Sequence, residues 1–261
     1  LELNAATRYS DYSTFGDTLN SKFGFKWKPI DDLLVRSNYS EGFRAPSILE
    51  LYSGVSDTFE QVADPCAGIV GGTAQRPPAS CAGVPAYDQA NSQIRTTVGG
   101  NADLGPETST SKTLGFVYSP SFAEGLGLAL DWWNVEIDDA IFSQTAQEVL
   151  DRCYRANDAS ACALQTRASD GQISNLLVTS LNVGTYEVEG FDLNVAYQLP
   201  ATKFGKFAID WDSTYLTKYY VDVNGDGEVT DDPVSGEGGN RVGEYRNRDN
   251  NWRIRSNLGT N

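Results

Sequence analysis

The sequence predicts an all-β fold, part of an antiparallel transmembrane β-barrel with about eight strands and long loops on one side. Three observations predict it. Apolar and polar residues alternate with period two in eight separate segments, as strands with one dry and one wet face require. No run of about 18 apolar residues exists, which excludes a transmembrane helix but not a barrel, whose strands leave only this weaker alternation. Short turns containing Pro at Lys28 to Asp32, Ser119 to Gly125 and Leu199 to Lys206 interleave with long polar loops at about Arg44 to Thr108, Asp138 to Ser180 and Val221 to Asn250. Loops of that length count against a soluble domain and suit a barrel with short periplasmic turns and long extracellular loops.

The elements follow in order. Leu1, Leu3, Ala5 and Tyr9 oppose Glu2, Asn4, Arg8 and Ser10 in the first strand; Phe23, Phe25 and Trp27 oppose Lys26 and Lys28 in the second. Leu33, Val35 and Tyr39 alternate with Arg36, Asn38 and Ser40, and this strand runs on to Gly42. Leu114, Phe116 and Tyr118 define the fourth strand, and Leu126, Leu128, Leu130 and Trp132, set against Asp131 and Trp133, the fifth. Phe191, Leu193, Val195 and Tyr197 then oppose Asp192 and Asn194, and Ile209, Trp211 and Tyr215 oppose Asp210 and Asp212. Trp252, Ile254 and Leu258 mark the eighth. Trp27, Tyr118, Phe122, Tyr197 and Phe204 lie near the short turns, where an interfacial girdle belongs. A soluble β-sandwich alternates in the same way, so period two alone leaves both architectures open.

Composition narrows the partners. A formal charge of −15 repels nucleic-acid phosphates. Cys66 and Cys81, and Cys153 and Cys162, form two close pairs without CxxC spacing in a chain that has no histidine, which favours loop disulfides in an oxidising compartment over zinc. Of the three pairings, the two local ones each close a single loop. Without histidine, a phosphate loop or a GxSxG elbow, catalysis has little to work with. Paired carboxylates such as Asp131 with Glu136, or Asp210 with Asp212, satisfy the minimum for a glycosidase but read more simply as polar lumen residues.

GFRAPSILELY at Gly42–Tyr52, NADLGPETS at Asn101–Ser109, DWWNVEIDDAI at Asp131–Ile141 and NVGTYEVEGFDLNVAYQLP at Asn182–Pro200 together resemble the C-terminal half of a TonB-dependent outer-membrane receptor barrel. The resemblance covers nearly the whole chain. It implies a partial receptor barrel over residues 1–261 in the Gram-negative outer membrane, contacting lipid and a small nutrient ligand. Import would be driven through the TonB complex, with no enzymatic step and no required cofactor. Iron chelates, cobalamin and oligosaccharides are the substrate classes it implies. Such barrels have about 22 strands around a plug, so eight strands with no plug counterpart read as a segment of a longer chain.

Arg36, Asn38, Asp131, Trp133, Asp210 and Asp212 on the polar strand faces, with Arg44 and Glu50 in the GFRAPSILELY segment, are the candidate substrate-binding residues. Arg44 and Glu50 read equally well as an ordered loop base. Asp222, Asn224, Asp226 and Glu228 in DVNGDGEVTDD resemble the start of a calcium loop, although position twelve is Pro233 and the sequence also makes good turn chemistry. The competing reading from another class is a secreted, calcium-stabilised, carbohydrate-binding β-protein.

Overall fold

The computed structural model describes residues 1–182, 184–203, 205–222, 239–240 and 252–260. Eight long strands form one meander: β1 Glu2–Tyr12, β2 Gly16–Ile30, β3 Leu33–Arg44, β4 Glu107–Tyr118, β5 Leu126–Asp138, β6 Thr185–Gln198, β7 Phe207–Asp222 and β8 Trp252–Thr260. Each pairs antiparallel with its predecessor, and Gly239–Asn240 continues the ladder on β7. Sequential neighbours that pair antiparallel need no crossover, whatever the length of the link, and this is the topology that an up-and-down barrel wall requires.

The register fixes the faces, because directly opposed residues share one. One row runs Glu2, Lys26, Arg36, Gly115, Asp131, Asp192, Thr214 and is polar or glycine throughout. The adjacent row on the other face runs Trp27, Val35, Phe116, Leu130, Leu193. Its members stay accessible: Phe116 is 42% and Leu130 43% exposed. An apolar face left open to the outside, backed by a charged inner face, inverts the soluble pattern and matches a lipid-facing wall. Along β5 the outer face changes from Leu126, Leu128, Leu130 and Trp132 to Asn134, Glu136 and Asp138, which places the outer membrane boundary just past Trp132. Tyr118 and Tyr197 meet the periplasmic end of this apolar band through Leu128 and Leu126, while Phe204 lies outside the described residues.

Connections at the outer end are not uniformly long. β1 and β2 are joined by Ser13–Phe15 alone, closed by Gly16 at φ 93°, a left-handed value that suits glycine. The Phe15 ring stacks on Tyr12 at 4.7 Å and tilts against Phe43 at 6.1 Å. A compact aromatic knot therefore caps this hairpin.

The two long connections between β3 and β4 and between β5 and β6 fold together. Ile141–Ser143, Ile173–Asn182, Gln93–Gly99 and Ser56–Gln61 make a second sheet, with Gln165–Arg167 beside it. In that sheet Gln93–Gly99 from one loop pairs parallel with Ile173–Asn182 from the other. Three short helices, α1 Ile48–Tyr52, α2 Ala146–Tyr154 and α3 Ala159–Cys162, accompany it. Thr145 and Glu148 cap α2 reciprocally, the arrangement that a TxxE sequence specifies. The core of buried aliphatic, aromatic and cysteine side chains among the described residues lies in these loops and none of it in β1–β6 or residues 207–220 of β7. Val149, Leu150, Ile173, Leu176 and Val178 form the centre. The Cys66–Cys81 and Cys153–Cys162 disulfides, with Cα separations of 5.4 and 4.6 Å, fasten its edge. Stretches that read as irregular polar loops thus contain the hydrophobic core, since a barrel wall in lipid has no need of one.

Candidate functional site

The polar face has three levels. At the rim, Arg44 ends β3 and its Nε and Nη2 donate to Glu107 Oε2 and Oε1 at 2.6 and 2.8 Å. Its Nη1 donates to both Glu50 oxygens at 3.2 Å. Glu50 Oε2 also accepts from the Ser47 amide at 2.6 Å, closing the cap of α1; this amide, more than the nearby arginine, holds the Glu50 carboxyl below its ordinary range. Glu107 Oε1 accepts from the Ile141 amide at 2.7 Å. The Asn101 amide donates to the Glu50 carbonyl at 2.8 Å. Asn182 accepts from the Gly105 amide at 2.7 Å and donates to the Gly105 and Asp139 carbonyls at 3.0 and 2.8 Å. All four signature segments meet in this one clasp, which satisfies the backbone groups freed where three strands end.

One level down the inner wall, Arg36 and Asp131 form a two-point ion pair at 2.9 and 2.6 Å. They stand on β3 and β5 and reach across β4 between them. Gly115 makes this possible, because a Cβ there would occupy the space of the Asp131 carboxylate and the Arg36 side chain. The same device recurs where Trp133 lies over Gly190 and Asn4 over Gly24. The Trp133 indole N–H has no partner among the described residues. Asn38 lies in the same β3 row, opposite Thr113, which in turn stands opposite Trp133.

In the row of Asp131, Asp192 accepts from Thr214 at 2.7 Å; the lowest level holds Asp212, which accepts from Asn194 at 2.7 Å, and Asp210 beyond it. Arg36 and Arg44 are separated by about 27 Å along β3, at roughly 3.4 Å per residue. The structure therefore joins Arg36 to Asp131 and Arg44 to Glu50, and spreads the eight candidates over the length of the wall. Glu107, the second anchor of Arg44, escaped the sequence reading, although it lies inside NADLGPETS at the first residue of a strand. The proposed calcium ligands Asn224, Asp226 and Glu228 lie outside the described residues, and only the backbone of Asp222 is described, as the last residue of β7.

A membrane-spanning wall with a charged inner face and clasped outer loops defines a class, the outer-membrane β-barrels that hold a polar interior against lipid. The chain belongs within that class to the TonB-dependent receptor family: the family described as TonB dependent receptor-like, beta-barrel matches residues 1–261. Members of this family are outer-membrane transporters of Gram-negative cells and not enzymes. No curated protein matches the chain. Among solved structures, the chain is similar to the ferric enterobactin receptor PfeA of Pseudomonas aeruginosa, as the Q482A mutant with enterobactin, at 18% identity and TM-score 0.53, covering 83% of this chain and 24% of that one. It resembles the siderophore receptor PirA of Acinetobacter baumannii at 14% identity and TM-score 0.52, covering 99% and 36%. The RagAB peptide importer matches at 12% identity and TM-score 0.51, covering 91% and 22%. At these identities the likeness is one of fold. The chain spans only about a quarter to a third of these receptors.

Proposed function

We propose that the chain supplies part of the barrel wall and two co-folded outer loops of a receptor that captures a scarce nutrient and imports it with TonB-coupled energy across the Gram-negative outer membrane. The observation that carries this reading is the inverted sheet, apolar outside and charged inside, surmounted by a folded loop unit that can present a ligand surface to the exterior. Family membership supports this reading over a secreted carbohydrate-binding β-protein. Gating and TonB contact are assigned to parts of the receptor beyond the wall described here, as the family's plug would provide. The transported solute is an iron chelate, cobalamin or an oligosaccharide; the siderophore receptors among its structural relatives favour the first.

Within this reading Arg36, Asn38, Asp131, Trp133, Asp210 and Asp212 face the translocation path, and Arg44 and Glu50 hold the loop base above it. Calcium bound by Asp222, Asn224, Asp226 and Glu228 would neutralise an acidic loop, at an affinity of about 10⁻⁴ to 10⁻³ M suited to the cell exterior. Titration of the intact receptor with calcium, compared with Asp226→Asn, tests that part.

The transport reading is tested by fractionating cells that express the native receptor and by measuring uptake of labelled chelates with TonB present and deleted. Outer-membrane location and TonB-dependent uptake are expected. Recovery in the soluble secreted fraction, or uptake indifferent to TonB, would overturn it.

A further inference from the structure

The second sheet, built by the two loops, has an open edge. Ser56–Gln61 pairs on one side with Gln93–Gly99 and on the other with nothing among the described residues. The Val62 amide donates to the Ser92 carbonyl at 2.9 Å, one rung past the Gln61 and Gln93 pair of that ladder. Hydrogen-bonded and non-hydrogen-bonded pairs alternate in an antiparallel ladder, so Ser56, Thr58 and Glu60 turn their backbone groups toward Gln93–Gly99, and Asp57, Phe59 and Gln61 turn theirs outward. Three amides and three carbonyls stand in a row along the free side. Nothing in SDTFEQ blunts this edge: it contains no Pro, no Lys and no shift of register, the devices that keep exposed edges from pairing.

An apolar corner continues the edge. Phe59 is 64% and Val55 76% exposed, and Ile48, Leu49 and Tyr52 of α1 lie between 60% and 75%. The Gly100 amide donates to the Ser53 carbonyl at 3.1 Å, which sets α1 in line with the strand. Charge selects what can pair here. Residues 45–106 and 139–182 together carry eleven acidic and five basic side chains, a net charge of −6. Four of those five basic side chains are already paired with acids inside the unit, and Asp57 and Glu60 stand on the edge strand itself. Two copies of such a unit repel one another, whereas a cationic chain is attracted.

We propose that Ser56–Gln61 is a docking edge for an extended cationic peptide segment, which joins the loop sheet as a further strand. Backbone hydrogen bonds to Asp57, Phe59 and Gln61 supply the affinity, the mode in which a strand adds to a free edge. An apolar residue opposite Phe59 and basic residues opposite Asp57 and Glu60 supply the selectivity. The segment belongs to a peptide or protein outside the cell. This surface adds polypeptide recognition to the transport reading and rests on that reading only for the side of the membrane that the loops occupy.

The test uses the full-length receptor in outer-membrane vesicles and the dye-labelled peptide acetyl-Thr-Lys-Val-Thr-Arg-Val-amide, whose order sets Lys, Val and Arg opposite Glu60, Phe59 and Asp57 in an antiparallel pairing. Binding is read by fluorescence anisotropy. Two further probes carry Glu in place of both basic residues, or the same sequence with its backbone amides N-methylated. The cationic peptide is expected to bind, and each altered probe to bind about tenfold or more weakly. In the receptor, Gln61→Pro deletes an outward amide and leaves the ladder to Gln93–Gly99 intact, as an edge strand allows, while Phe59→Thr removes the apolar anchor and keeps a residue that suits a strand. Each is expected to weaken the peptide about tenfold with hydrogen exchange of the Gln93–Gly99 amides unchanged. Four outcomes would overturn the docking edge. These are no binding of the cationic peptide, which means that another part of the receptor covers the edge; equal binding of all three probes; binding indifferent to both substitutions, which places the peptide elsewhere, the translocation path included; and receptor dimers dissolved by Phe59→Thr in place of peptide binding, which makes a second copy the occupant. Failure of the transport reading shows separately, as chelate uptake independent of TonB.

Discussion

Gly115 shows how one missing side chain organises a stretch of wall. With no Cβ on β4, Arg36 and Asp131 close over it; a methyl group there must push them apart or shift the strand. Gly115→Ala is expected to cost about 1 to 3 kcal/mol by overpacking, and most of that cost should vanish in an Asp131→Ala background, where the carboxylate no longer fills the space. The heat-modifiability midpoint of the folded barrel reads both values. Equal costs in the two backgrounds would mean that crowding by Asp131 is not the cause. The clasp gives a second residue-scale expectation. Glu50 titrates below its ordinary value in the folded state, so its contribution is fully present above the unfolded glutamate pKa of about 4.3 and is lost as the pH falls through the lower folded value. Protection of the α1 amides from hydrogen exchange should therefore be flat from pH 7 down to about 5 and drop only in stronger acid. Glu50→Gln should abolish this acid step, and a step that persists in the variant would assign it to another group.

The element scale concerns which face of a strand meets lipid. Leu128 and Ile209 lie on the apolar outer face, each beside a residue of the neighbouring strand in the same band, Val195 and Tyr197 respectively. Glu136 lies on the same face of β5 but beyond the boundary at Trp132. Leu128→Arg or Ile209→Arg is expected to cost about 2 to 4 kcal/mol if the site is near the bilayer midplane, whereas Glu136→Arg should cost close to nothing. Equilibrium folding into bilayers measures the set. A uniform cost across the three positions would show that depth is not what distinguishes them. Depth of this kind is legible in the sequence, because the change from Trp132 to Asn134 needs only the alternation already read. The inner pairings are not, since Arg36 and Asp131 are 95 positions apart and meet only through the registers of β3 with β4 and of β4 with β5.

At the scale of the molecule, the barrel wall and the loop unit are held by different physics. The wall relies on backbone ladders and lipid. The loop unit has a buried core, two disulfides and a buried lock in which Arg167 donates to Asp64 Oδ2 and Oδ1 at 2.6 and 2.9 Å. Asp64 is fully buried, receives the Tyr87 hydroxyl as well, and belongs to the opposite loop from Arg167, whose guanidinium lies 4.9 Å from the Tyr154 ring centre. Burial, with Asp64 beside it, pushes the Tyr87 hydroxyl well above its ordinary pKa, so this group stays protonated. Removing one partner of a buried pair leaves the other uncompensated, at a cost of about 3 to 5 kcal/mol. Arg167→Leu is therefore expected to release Gln93–Gly99 and Ile173–Asn182 together while the β1–β8 amides keep their protection. Hydrogen exchange resolved by segment measures this, and loosening of one loop alone would show that the two do not fold as a unit.

The sequence by itself determined the eight strands of the wall, their two faces and the family. Period-two alternation and short signature segments are local properties that each stretch carries whatever its neighbours do. It also pointed to the local cysteine pairs, since Cys66 and Cys81 or Cys153 and Cys162 are close along the chain, and it contained the TxxE cap at Thr145. Only the tertiary structure decided that two polar loops share one core, that Glu107 anchors Arg44, and that a glycine on β4 lets charges on β3 and β5 meet. Each of these depends on residues distant in the chain that strand register and the parallel loop pairing bring together, and register is a property of the assembled sheet.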